Sequence, residues 1–328
     1  MITVAFFNNK SGVGKTTLLF HVAWMMAEMG VETLCADFDP QSNLTSMCLG
    51  DERLDEIWPE QGERQSIYGA MLPLINASGT LAAPHSLSIR PRLSLIPGDL
   101  ALARSEDRLS VGWMQASGGD VAALRFTSAF GNAVDAIGKE HEARLALLDV
   151  GPNLGAITRA ALIAADFIVV PLAPDLFSIQ ALRNLGPTLR DWRRQWAERS
   201  SKAPAMIDFL LPCGSMQPAG YVVMQFGLRD QRPVRAYERF LARIPGEFHR
   251  NVVDDAVTAP SIDDDPYHLA SLKHYRSLAP LAVQANKPMF ELKAADGVIG
   301  AHVDAVRACH ADFRRLAAAL AQRIGLQL

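Results

Sequence analysis

Apolar runs and helical periodicity alternate over the first forty residues. From Ile2 to Phe7 the chain is apolar, β-branched and aromatic, which predicts a strand buried on both faces. Asn8 to Gly14 reads as a loop by composition. From Lys15 the period changes: Leu18, Leu19, Val22, Met25, Met26 and Met29 recur at three and four, and Gly30 follows where a left-handed helix stop is favoured. Val31 to Ala36 is a second apolar run. This strand–loop–helix–strand start predicts an α/β fold, a doubly wound and mostly parallel sheet flanked by helices.

Further strands are expected at Leu93–Ile96, Leu145–Leu148, Phe167–Val170, Ile207–Leu211 and Tyr221–Met224, with helices near 121–138, 156–165, 178–197, 233–244 and 302–323. Two stretches, 51–92 and 245–300, carry many Pro, Gly and charged residues with little periodicity. The stretch 51–92 reads as an irregular insertion on the sheet, and 245–300 is of the same character. The expected organisation is one domain over 1–328, swollen by the insertion at about 51–92 and by an enlarged C-terminal region at about 245–328.

Composition narrows the function. With 32 Lys+Arg against 35 Asp+Glu, the formal charge of −3 excludes a chain that coats nucleic acid by bulk charge. An apolar fraction of 49% places it among globular rather than disordered proteins. Cys35, Cys48, Cys213 and Cys309 lie far apart and form no CxxC pair, so buried free thiols in a reducing cytosol are expected. The first residues lack the basic region and cleavage site of a signal peptide, and no run approaches the ~18–20 apolar residues of a membrane span. A cytoplasmic chain is expected.

The loop Lys10-Ser11-Gly12-Val13-Gly14-Lys15-Thr16-Thr17 lies between strand and helix, where a phosphate-binding loop belongs. Gly12 and Gly14 let successive N–H groups approach phosphate, and the helix start adds a positive dipole. Lys15 is placed to reach the β- and γ-phosphates, and the Thr16 hydroxyl to ligate Mg²⁺. Asn9 stands where the strict GxxxxGK[ST] pattern has its first glycine; asparagine tolerates positive φ better than most residues. Alone, Lys10 reads equally as a solvated loop lysine.

With its second lysine, this loop resembles KGGVGKTT, the deviant Walker A motif of the ParA/MinD ATPase superfamily, with Ser11 in place of a glycine. After the second strand, Asp37-Phe38-Asp39-Pro40-Gln41-Ser42-Asn43-Leu44-Thr45 is similar to the family's DxDPQxNxT segment. Leu145 to Asp149 has the Walker B form, and Val150-Gly151-Pro152-Asn153-Leu154-Gly155 resembles its DTPPSLG switch, with Val150 and Gly151 departing from it. Residues 165–182 are similar to the strand and helix that follow.

The resemblance implies a P-loop NTPase with ATP and Mg²⁺ as cofactors and a dimer that forms on ATP. It implies that Lys10 reaches the partner's nucleotide and that Asp39 positions the hydrolytic water. Asp37 and Asp149, with Thr16, would serve the magnesium. It places Gln225 at the adenine edge, where an ordinary strand-end glutamine is the plain reading. For partition members of the family the partners are non-specific DNA and a small stimulating protein. Arg235, Arg239 and Arg243, spaced by four, with Arg232 and Arg250 beside them, make one candidate DNA stripe. A second cluster is Arg190, Arg193, Arg194, Arg199 and Lys202, interleaved with Trp192 and Trp196. For each, a solvated, salt-bridged helix face is the alternative. A MinD-like membrane tail is disfavoured because Ala317, Ala318, Ala319 and Ala321 dilute the apolar side of 313–324. A protein-recruiting switch remains the competing function, since it uses the same ATPase core.

Overall fold

The computed structural model describes residues 1–59, 62–226, 228–229, 232–233, 235–255, 261–275 and 277–328; at 51–52, 225–226, 228–229, 232–233 and 235–237 it describes the backbone alone. The strands are β1 (Ile2–Phe6), β2 (Thr33–Asp37), β3 (Leu87–Arg90), β4 (Leu93–Ile96), β5 (Leu145–Asp149), β6 (Phe167–Leu172), β7 (Gln217–Phe226), a short hairpin of β8 (Leu228–Arg229) and β9 (Arg232–Pro233), and β10 (His268–Lys273). Eight of them form one sheet in the order β10-β7-β6-β1-β5-β2-β4-β3. Every pair is parallel except β3 with β4. The fold is a doubly wound α/β P-loop architecture.

Alternation along the strands divides the core into two layers. Val4 and Phe6 of β1 face one layer with α1 (Lys15–Glu28) and the long C-terminal helix, while Ala5 and Phe7 face the other. In chain order the remaining helices are α2 (Asn43–Leu49), α3 (Asp51–Ile57), α4 (Ile67–Ile75), α5 (Glu106–Gln115), α6 (Val121–Thr127), α7 (Ala129–Glu140), α8 (Ala156–Ile163), α9 (Leu176–Ser200), α10 (Arg235–Leu241), α11 (Ile244–Phe248), α12 (Leu278–Ala285) and α13 (Ala301–Ile324). The apolar side of α13, with Phe313, Leu316, Leu320 and Ile324, is buried in the core. Among the described residues no helix is long and apolar enough to cross a membrane.

Several expectations need correction. Among its described residues the 51–92 stretch is built from regular elements: it holds α3, α4 and β3, which extends the sheet. It is fastened by the buried Asp99, whose carboxylate accepts from Arg64, the Ser66 hydroxyl and the Ala101 N–H. The 245–300 stretch supplies the other edge strand, β10, together with α12. No strand forms at 207–211, because the Leu210 N–H and C=O both bond the side-chain amide of Asn132 at 2.9 Å. The helix expected over 121–138 is two, divided at Ser128. The one expected over 233–244 ends at Leu241, where Pro245 offers no N–H to continue the ladder. Cys213 is exposed rather than buried.

Candidate nucleotide-binding site

Parallel register brings three strand ends to one level. Phe6 of β1 and Asp37 of β2 both pair with Asp149 of β5, so the loops after them leave the carboxyl edge of the sheet together. Ligands of open α/β sheets bind at that edge. The loop after β1 is fixed at its root by the buried Asn8, whose amide donates to the Pro171 carbonyl at 2.6 Å and whose oxygen accepts the Lys10 N–H at 2.9 Å. Gly14 begins α1 with φ 84°, a left-handed conformation that a side chain would strain, and Gly12 has φ 71°. No side chain caps α1, so its first N–H groups are left for a ligand.

A cavity of about 360 Å³ opens above this helix end. Ser11, Gly12, Gly14, Lys15, Thr16 and Thr17 line it, together with Asp39, Gln41 and Pro152. Val13 lies buried beneath the loop. The structure thus brings the phosphate-loop residues and Asp39 to one cleft. Lys15 is 7% exposed, and burial lowers its pKa against the opposing pull of Asp149 and Asp39.

The carboxylates behave differently. Asp149 is fully buried, and neither of its oxygens has a hydrogen-bond partner. Burial and the nearby Asp37 charge push its pKa well up, while Thr16 draws it down from a position that closes no well-formed hydrogen bond. A donor-free carboxylate beside a threonine hydroxyl fits a divalent cation. Asp37 was expected at the metal too. Its carboxylate instead accepts from the Thr45 N–H and hydroxyl at 2.9 and 2.7 Å and from the Asp39 N–H at 3.2 Å, so it tethers α2 rather than standing open to an ion. Burial raises its pKa despite those bonds. Asp39 reaches the cleft with its backbone held by Asp37 and its own oxygen accepting the Gln41 N–H at 3.0 Å. Gly151 packs beside it: a β-carbon there would stand 3.3 Å from Asp39 Oδ1.

Lys10 does not point into the cleft. It forms an ion pair with Asp175 and lies 5.9 Å from the centre of the Phe177 ring. Phe177 is 72% exposed, and Leu176 and Leu154 are exposed as well. Asp175, Phe177 and Asn8 escaped the sequence reading. Only the Asp-x-x-Ser spacing of Asp175 and Ser178, a helix-cap pattern, hinted at one of them.

The remaining expectations fare unevenly. Gln225 lies in β7, and its side chain falls outside the described residues, as do those of Arg232 and Arg235. Arg239 and Arg243 are exposed, but the break between α10 and α11 divides them, and Arg243 lies 3.8 Å from Glu247. In the second cluster, Trp192 and Trp196 are core residues. Arg190, Arg193 and Arg199 donate to the carbonyls of Asn251, Met216 and Trp113, which fastens them to the fold.

Known proteins are similar to this chain in sequence and fold. A family model described as an AAA domain matches residues 1–201. Protein IncC of Escherichia coli is 31% identical over 212 residues, covering 63% of this chain and 51% of its own length. A probable plasmid-partitioning protein ParA of Thermus thermophilus is 28% identical over 267 residues, covering 79% of this chain and 72% of that protein. The chain thus spans only about half the length of one of these curated relatives. A solved protein from Corynebacterium diphtheriae superposes with a TM-score of 0.69 at 28% identity, covering 87% of this chain and 97% of that one. With more than half its length inside the family model and its strand-end carboxylates gathered at a phosphate loop, the chain belongs to the ParA/MinD superfamily of P-loop ATPases.

Proposed function

We propose that this chain is a switch that binds Mg–ATP, dimerises through the nucleotide and hydrolyses it to ADP and phosphate. Its task on this reading is plasmid or chromosome partition by ATP-dependent, non-specific binding of DNA, with the chain acting as one unit. The observation that carries the nucleotide reading is Asp149: a fully buried carboxylate without a donor, at a strand end beside Lys15 and Thr16. Such a group is costly unless a cation completes it.

The chain's own groups divide the work. The uncapped N–H groups of α1 and the Lys15 ammonium hold the phosphates. Thr16 and Asp149 would hold Mg²⁺, which supplies positive charge to the phosphate oxygens. Asp39 orients the attacking water, and Asp37 fixes Asp39 through its N–H. Positioning and fixed charge are most of what phosphoryl transfer requires. Lys10, on leaving Asp175, would meet the nucleotide of a second copy, and the exposed Phe177 lies beside it.

For DNA, support comes from the partition-protein relatives and from the exposed Arg239 and Arg243. A gel shift with non-specific duplex and ATP tests it. Binding that needs ATP, weakens with salt and weakens further in Arg239→Glu/Arg243→Glu supports partition. The second reading is a protein-recruiting positioning switch. The exposed Val111 and Met114 of α5 favour it, as does the inward commitment of three arginines in the second cluster. Absence of a shift with any nucleotide, with hydrolysis intact, decides for it.

A further inference from the structure

The segment that follows Asp149 is anchored at its far end by a carboxylate from a different helix. α8 begins at Ala156 behind Gly155, which has no side chain with which to cap it. The first two helical N–H groups, those of Ala156 and Ile157, donate instead to Oε1 and Oε2 of Glu106 at 2.5 and 3.0 Å. Glu106 is the first residue of α5. A carboxylate receiving two N–H groups at a helix start gains from both the charge-assisted bonds and the helix dipole.

Gly155 shows that this arrangement is specific. Its backbone is extended, with φ −82° and ψ −175°, a conformation open to any residue. What a side chain would lack is room: a β-carbon would lie 2.4 Å from Glu106 Oε1. A second grip joins the same two helices one turn later, where the Arg159 guanidinium lies 4.3 Å over the Trp113 ring of α5. Trp113 is itself tied to α9, donating to Gln195 at 3.0 Å and accepting at its carbonyl from Arg199 at 2.9 Å. At its near end the segment enters the nucleotide site, with Gly151 packed on Asp39.

Segment 150–155 therefore bridges Asp39 and Glu106. We propose that Glu106 is a positioning residue for ATP hydrolysis: by clamping the start of α8 to α5 it holds Gly151 in register with Asp39. The same clamp transmits a load placed on the outer helices α5 and α9 to the site. This inference rests on the reading of the chain as an ATPase. Without the clamp, the phosphate loop is unchanged and ATP binds as before, while the water-positioning side loses its fixed neighbour.

The test compares wild type, Glu106→Ala, Glu106→Ala/Gly155→Ser and Lys15→Ala by steady-state ATPase kinetics and thermal unfolding. Glu106→Ala is expected to lower kcat about tenfold, since misplacement far from the chemistry is costly, and to leave KM within about twofold. Its unfolding midpoint also falls, because α8 is uncapped. In the double variant the new hydroxyl caps α8 locally, in the space that Glu106 vacated, with the Asn153 side chain giving way slightly from the 3.2 Å at which its oxygen would meet the new β-carbon. The midpoint is then expected to recover while kcat stays low, because the tie to α5 remains cut. Recovery of kcat together with the midpoint would overturn the inference, reducing Glu106 to a cap. An unchanged kcat in Glu106→Ala, with wild-type hydrolysis dependent on Lys15, would overturn the inference alone. A wild-type chain with no Lys15-dependent hydrolysis would overturn the ATPase reading and this inference with it.

Discussion

Lys10 and Asp175 form an ion pair that holds the second lysine of the phosphate loop against its own subunit. Asp175 does two things at once: one oxygen takes Lys10, and the other caps α9 by accepting the Ser178 N–H at 2.8 Å. Burial alone would raise its pKa, but Lys10 and the Ser178 N–H hold it below the usual carboxylate range. A lysine held this way is not free to reach a second copy's nucleotide until the pair opens.

Asp175→Asn separates the two roles. The amide oxygen still caps α9, but the charge that retains Lys10 is gone. Partly exposed ion pairs contribute roughly 0–1 kcal/mol, so the release should strengthen ATP-dependent self-association by up to about fivefold. Lys10→Ala should bind ATP yet form no stable ATP dimer. Light scattering on a sizing column, with and without Mg–ATP, measures both. Equal dimer fractions in wild type and Lys10→Ala would remove Lys10 from the interface.

Asp39→Ala should keep nucleotide binding and dimerisation while slowing hydrolysis by about 10² or more, the usual loss when a group that positions or deprotonates water is removed. Lys15→Ala should lose ATP binding itself, because no other ammonium lines the cleft among the described residues. Titration with a fluorescent ATP analogue, alongside phosphate release, distinguishes the two. Wild-type turnover by Asp39→Ala would refute its role.

Much of this site was legible because it is local. Strand, loop and helix from Ile2 to Glu28 follow one another directly, and the spacing from Gly12 to Thr17 places backbone and side chains without outside help. Asp175 and Glu106 were not legible, because their partners Lys10 and Ala156 are distant in the chain and meet only through the sheet order. The edge strands β3 and β10 were missed for a related reason. They are half buried, so neither presents the apolar run that marks β1 or β5. In the second arginine cluster the sequence left two readings open, because counting charges could not reveal that Arg193 and Arg199 bond carbonyls inside the fold.

The unpartnered Asp149 carries opposite consequences for stability and function. Asp149→Asn takes away the cost of ionising a buried carboxyl that lacks a donor and sits near Asp37, so the nucleotide-free protein should be at least as stable as wild type. The same change removes the anion that would hold Mg²⁺ and should weaken Mg–ATP binding more than binding of ATP with chelator. Thermal unfolding without nucleotide, followed by ATP titration with and without Mg²⁺, checks both signs. A destabilised variant with unchanged Mg²⁺ dependence would contradict the assignment.

His21 ties the phosphate-loop helix to the C-terminal region and gives stability a pH dependence of known sign. Its Nδ1–H donates to the Thr17 carbonyl at 2.7 Å, and its Nε2 accepts the Met289 N–H at 3.0 Å. Its ring stacks on Phe313 at 4.8 Å. Both nitrogens are committed to the neutral form, and complete burial lowers its pKa from 6.5 to about 4. The unfolded chain takes up a proton near pH 6.5, and the folded chain does not until about pH 4. Stability is therefore lost as pH falls through that window, by about 2 kcal/mol from this residue between pH 7 and pH 5. His21→Gln should be less stable at pH 7 because the ring packing is lost, yet its urea-unfolding free energy should fall less steeply from pH 7 to pH 5 by about that amount. Identical slopes in variant and wild type would show that the imidazole is not held neutral between α1 and the segment at Met289.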